Sequence, residues 1–152
     1  GPWGDDKAWF GDAASVDPFI ASLYYAAARR AALPEMEKIL KSGTNLILDR
    51  YVWSNMAHQG GKIEDFSKRH RLLDKLHRIE FNELELPIPL STIFLYMPYE
   101  VALELRKSRS ESADSHEANE AHLRRAERTY LELSENLKWK KIDCAQAGIY
   151  GL

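Results

Sequence analysis

A short apolar run that stops at a charged pair constrains this chain more than any other feature. Leu46, Ile47 and Leu48 lead into Asp49, Arg50 and Tyr51, and Ser54, Gln59 and a Gly60-Gly61 pair follow. An apolar run bounded by turn signals predicts a buried strand over Asn45–Arg50. In an open parallel α/β sheet, ligands collect just beyond the carboxyl ends of the strands. Asp49 and Arg50 therefore stand where a metal or a phosphate would be held. A carboxylate in that place suits magnesium, held directly or through water, and a guanidinium fork grips a phosphate through two hydrogen bonds. The same two residues also suit a plain strand-end ion pair.

The rest of the chain alternates helical and extended patterns. Asp17-Pro18 is a strong helix opening, because Asp caps and Pro fits the first helical position. The helix is expected to run to about Ala31, with Phe19, Ile20, Leu23, Tyr24 and Ala27 as its apolar stripe. Leu33-Pro34 is expected to start a second helix that Gly43 stops. A short helix follows over Ser54–Gln59. Apolar residues at helical spacing predict another from about Glu64 to Leu84. Pro87 and Pro89 end it and introduce a strand over Thr92–Met97. Then come a helix over Tyr99–Lys107, a polar stretch, a long helix to about Leu133 and a last strand over Trp139–Cys144. Strands that alternate with helices predict an α/β fold: a three-layer parallel sheet with helices on both faces. Three strands leave edges open, so a homodimer or a partner chain completing the sheet is expected.

Composition narrows the function classes. A chain of 152 residues with 45% hydrophobic residues supports a single domain over 1–152 with a real core. The formal net charge of -2 supplies no basic field, so nucleic acid is not expected as a partner. No apolar run approaches ~18 residues, so no membrane span is expected. Cys144 is the one cysteine, which excludes an intrachain disulfide and any Cys-based zinc site. These features point to a cytoplasmic, or more broadly intracellular and reducing, location, with organelles left open.

Two more constellations carry chemistry. Tyr25 and Arg29 are one turn apart and share a helix face, so a ring could stack on a base while the guanidinium bonds its edge. Tyr25 as a core residue and Arg29 as a solvated one is the plainer alternative. Ser54 and Gln59 offer compact donors and acceptors for a base or a sugar, although Ser54 also suits a helix cap. His58 reads as pocket wall. Farther on, Arg106, Lys107 and Arg109 form a charged run with Asp114, His116 and Glu117, which also suits a solvated face.

The stretch Leu48-Asp49-Arg50-Tyr51, Ser54, Ala57, Gln59, Gly60 resembles the DRY-x-x-S-x-x-A-x-Q-G signature of thymidylate kinases. The likeness extends from about Phe10 to Cys144. It implies a P-loop NTPase fold, truncated here, and a nucleotide-biosynthesis transferase that moves the ATP γ-phosphate to dTMP with Mg2+. In that family Arg50 would bind the phosphate of dTMP or a related pyrimidine nucleotide, and Asp49 would lie near the metal. Tyr25 and Arg29 match the family's F/Y-x-A-D-R helix, with Ala28 in the usual acidic place. Ser54 and Gln59 would line the acceptor site, and Arg109 would be the charge of a lid over about 106–118. The family places a phosphate loop ahead of these elements, and no G-x-x-x-x-G-K-[ST] occurs in the 152 residues. Gly1–Lys7 only echoes one, since Asp6 replaces the Gly before Lys7. By themselves the 152 residues are therefore not expected to turn over. A catalytically dead domain serving as an interaction or scaffold module is the alternative reading.

Overall fold

The computed structural model describes residues 15–108 and 116–145, and gives no side-chain detail at 106–108 and 116–119. Gly1–Lys7, Phe10, Arg109 and Asp114 lie outside the described residues. The chain divides into two compact units, Gly1–Pro87 and Ile88–Leu152.

The first unit is helical. Helix α1 spans Pro18–Lys41. Asp17 caps it as expected, its Oδ1 accepting from the N–H of Phe19 at 2.9 Å and of Ile20 at 3.0 Å. The break expected at Pro34 does not occur. Proline removes one helical hydrogen bond and crowds the carbonyl a turn earlier. On either side of it, however, Ala31, Ala32 and the run Glu35–Lys41 are strong helix formers. Leu33 and Met36, both buried, bind the two halves to one core. The expected stripe is also displaced. Ala21, Ser22, Ala26, Leu33 and Met36 face inward, while Ile20, Leu23 and Tyr24 are exposed. Small residues allow close approach to the next helix, and that outweighs the size of the side chains left outside. The helix ends at Ser42, followed by Gly43 at φ 78°, a conformation that favours glycine.

Residues 44–48 adopt no regular secondary structure, so the strand expected over Asn45–Arg50 is not formed. A strand needs a hydrogen-bonded neighbour; no described strand pairs with this run, and Ile47 is 92% exposed. Helix α2, Val52–Gly60, is the centre of the unit and buries Val52, Trp53, Asn55, Met56, Ala57, Gln59 and Gly60. Asp65 caps α3, Phe66–His77, by accepting from the Lys68 N–H at 2.7 Å. Arg69 is buried and donates to the carbonyls of Ile63 and Glu64, which pins the α2–α3 loop. The helix then widens into a π-helical turn over Arg78–Glu83 that buries Glu80 and Phe81. Phe81 lies 5.1 Å from Trp53 and 4.9 Å from His77, ring centre to ring centre.

In the second unit, β1 (Ile93–Tyr96) and β2 (Lys140–Asp143) pair in parallel, with Ile93 opposite Lys140 and Tyr96 opposite Asp143. Between them run α4, Tyr99–Ser108, and α5, His116–Asn136. Phe94 stacks on Tyr130 of α5 at 5.5 Å, while Ile93 and Leu95 on the other face are exposed. Cys144 is buried at the end of β2, as its apolar character suggests. The described residues thus combine helices with a two-stranded parallel sheet rather than the three strands expected. No described helix is long and apolar enough to cross a membrane.

Candidate functional site

The described residues singled out in the sequence as site candidates lie in the first unit, on α1 and on or just before α2. Arg50 directly precedes the helix and sits at φ 64°, in the left-handed region that non-glycine residues rarely occupy. Such a conformation costs about 1–3 kcal/mol, and observed strain of this kind clusters at functional sites. The side chain is guided from the helix it precedes. Its Nε donates to Ser54 Oγ at 2.8 Å and its Nη2 to His58 Nε2. A guanidinium can only donate, so His58 accepts at Nε2 with a neutral ring. Nη1 and the second Nη2 hydrogen carry no bond to a described residue. No side chain caps the first turn of α2, and its N-cap residue is Tyr51. A free guanidinium edge beside an uncapped helix N-terminus favours an anion electrostatically. Ser54 therefore neither caps a helix nor stands free as a ligand group: it holds Arg50. His58 does the same from one turn farther on, and is more than pocket wall.

The second centre is buried. Arg29 faces inward from α1 and forms a two-point ion pair with Glu80, whose side chain is fully buried. The Arg29 Nε donates to Oε2 at 2.7 Å and Nη2 to Oε1, which leaves Nη1 unengaged among the described residues. Asn55 donates from Nδ2 to the same Oε1 at 3.2 Å and to the Ser22 carbonyl at 3.3 Å. Arg29 is thus not the solvated residue that α1 alone suggested. Tyr51, Asn55 and Gln59 follow one another at four-residue steps along one face of α2. Each has a buried oxygen with no hydrogen-bond partner: Tyr51 Oη, Asn55 Oδ1 and Gln59 Oε1. Leaving one such atom unpaired costs about 1–3 kcal/mol, and native structures hold few of them. Burial pushes the Tyr51 phenol up to about 12; the Arg29 guanidinium opposes the rise and the Glu80 carboxylate adds to it.

Tyr25 is 40% exposed one turn before Arg29 and meets Tyr24 edge to face at 6.3 Å. Asp49 is exposed and makes no bond to a described residue. No group of three or more His, Cys, Asp or Glu among the described residues could hold a metal unaided. Arg109 lies outside the described residues. Sequence reasoning missed Glu80 and Asn55. Asn55 was in view within the Asp49–Gln59 run, at the four-residue step between Tyr51 and Gln59. Glu80 is 51 residues from Arg29, and no local pattern links them.

The described residues form a mixed α/β chain in which two arginine forks, Arg50 and Arg29, are each held by fixed partners. The family model for thymidylate kinase matches residues 10–149. The chain is 30% identical over 124 residues to a thymidylate kinase of Limosilactobacillus fermentum, covering 80% of this chain and 55% of that protein. It is 29% identical over 127 residues to a probable thymidylate kinase of Metallosphaera sedula, covering 84% and 58%. This chain belongs to the thymidylate kinase family. It spans somewhat more than half the length of these relatives.

Proposed function

We propose that this chain carries the acceptor-nucleotide half of a dTMP kinase, an enzyme that transfers the ATP γ-phosphate to dTMP and yields dTDP. The observation that carries the reading is Arg50, held at φ 64° with its fork guided by Ser54 and His58 beside an uncapped helix N-terminus. Strain and two guiding bonds orient a cation that has no carboxylate partner among the described residues. The dTMP phosphate is the group that such a cation suits. Tyr25 would stack on the base, while Arg29 Nη1 and Gln59 would meet its polar edge. Ser54 acts through Arg50.

Magnesium usually keeps several waters and takes one or two carboxylates together with substrate phosphates. Asp49, exposed and without a described partner, fits that role through water. With ATP bound, the metal would neutralise phosphate charge, and Arg109 would add a positive charge from the lid. What the described residues contribute is positioning, which in phosphoryl transfer is most of catalysis. A homodimer or a partner chain completing the sheet, and a cytoplasmic location, belong to the same reading.

Calorimetric or NMR titration of the 152-residue chain tests it. dTMP should bind more tightly than thymidine, which lacks the phosphate, and more tightly than AMP, whose base differs. Thymidine binding as well as dTMP would defeat the role given to Arg50. Binding of none of the three would favour the non-catalytic interaction module.

A further inference from the structure

Resting on the acceptor-nucleotide reading, we infer that Glu80 is the positioning residue of the base subsite, presenting Arg29 and Asn55 as a fixed donor beside a fixed acceptor. This arrangement selects a base edge that carries an acceptor next to an N–H, as thymine and uracil do, against the reversed edge of cytosine.

The argument starts from one buried carboxylate. Glu80 is wholly enclosed, and the π-helical turn Arg78–Glu83 carries it there, its own carbonyl accepting from the Leu86 N–H at 3.1 Å. π-helical turns recur at functional sites because the extra residue re-aims side chains. Two bonds from Arg29 occupy both Glu80 oxygens, so the guanidinium plane cannot rotate and Nη1 is the end left to donate. The amide of Asn55 is fixed by the same atom. Both groups in front of it, the Ser22 carbonyl and Glu80 Oε1, are acceptors, so only Nδ2 can face them. Oδ1 must then be the other end, and it is buried without a partner. Glu80 thus fixes the Arg29 plane and, together with the Ser22 carbonyl, the polarity of the Asn55 amide. A thymine-type edge would satisfy the unengaged Nη1 of Arg29 and the buried, unpartnered Oδ1 of Asn55, whereas a cytosine-type edge opposes donor to donor and acceptor to acceptor. Ala28 supplies no acid next to Arg29, and Glu80 provides that carboxylate from another helix.

A neutral amide at position 80 removes the determinant. Gln would set its own N–H groups against Arg29 or against Nδ2 of Asn55, and either contact frees Arg29 to turn or Asn55 to flip.

The test titrates dTMP, dCMP and 2-deoxyribose 5-phosphate into the 152-residue chain and into Glu80→Gln. Wild type should prefer dTMP over dCMP by about ten- to a hundred-fold, the worth of one or two mismatched hydrogen bonds. In Glu80→Gln that ratio should collapse toward unity while the affinity for 2-deoxyribose 5-phosphate holds. An unchanged ratio, or an equal loss for all three ligands, would overturn the inference while leaving the acceptor reading in place. Wild type that binds neither dTMP nor 2-deoxyribose 5-phosphate would bring down the acceptor reading itself. Should Glu80→Gln fail to fold, Asn55→Leu leaves the Arg29–Glu80 pair intact and must lower the same ratio. A wild-type ratio in that variant also overturns the inference.

Discussion

The two units both join helices through arginine–carboxylate pairs, and they do so in opposite environments. In the first, Arg29 meets Glu80 with side-chain exposures of 17% and 0%. In the second, Arg124 of α5 meets Glu100 of α4 at 45% and 64%, with Glu120 adding a second contact one turn away. Arg124 also lies over the Tyr99 ring at 4.3 Å. The surface pair works in water, where Coulomb attraction is screened and long side chains lose freedom by meeting. The interior pair works where water is excluded, and there a missing partner leaves a charge stranded. Interior pairing is a costly way to hold two helices together, since apolar residues of like volume often do so as well. Its presence beside unpaired oxygens at Asn55 and Gln59 sets the first unit apart from the second among the described residues.

The largest effect that would break this comparison comes from Glu80→Ala. Stranding Arg29 should lower unfolding free energy by about 3–5 kcal/mol, read by urea denaturation. A loss no larger than that of a surface variant would show that the interior pair is not special.

Next in size is Arg50→Ala, which should weaken dTMP by about ten- to a hundred-fold, as expected for a charge-assisted two-point contact. Its stability should not fall, because the substitution deletes no buried partner. A parallel loss of stability and of dTMP affinity would mean that Arg50 serves the fold. Tyr25→Ala should cost about 1–3 kcal/mol of dTMP binding if its ring stacks on the base, and calorimetry on the same samples reads it.

A subtler effect concerns Tyr51. Its phenol is raised from the ordinary 10.0 to about 12, so between those values the unfolded chain has lost a proton that the folded chain keeps. Stability is then independent of this group below pH 10.0 and declines as pH rises toward about 12. Tyr51→Phe should remove that part of the alkaline decline and, since Oη has no partner, should not destabilise the protein at neutral pH. Denaturation midpoints at pH 8 and pH 11, taken as roughly below and inside the window, check both statements.

The smallest effect belongs to the surface pair. The hydrogen bond from Arg124 holds the Glu100 carboxyl below its usual range, so any contribution is present at neutral pH and is lost as pH falls through the lowered value. Full exposure screens it. Glu100→Gln should leave the thermal midpoint unchanged within error at pH 7, and a clear drop would erase the contrast between the two units.

Much of the scaffold was legible without a structure. Asp17 caps α1 as expected, by bonds that close within three residues. β1 and β2 fall inside their expected ranges, as does most of α4 and α5. The candidate site residues were legible only as a set of names. Arg50 with Ser54 is a four-residue relation that a motif can carry. His58, by contrast, was read as wall, because hydrogen-bond direction depends on where a side chain turns.

Chain-local chemistry therefore settled the start of α1, the positions of β1 and β2 and the Asp49–Gln59 motif, because capping, turn formation and four-residue spacing involve neighbours in sequence. Three matters belonged to the tertiary structure alone. Pro34 stays inside α1 because burial of Leu33 and Met36 offsets one lost hydrogen bond. Residues 44–48 stay irregular because a strand exists only with a neighbour to bond. Arg29 points inward because Glu80, 51 residues away, supplies the carboxylate that Ala28 does not. Each of the three depends on a partner distant in sequence, and only the folded chain brings that partner near.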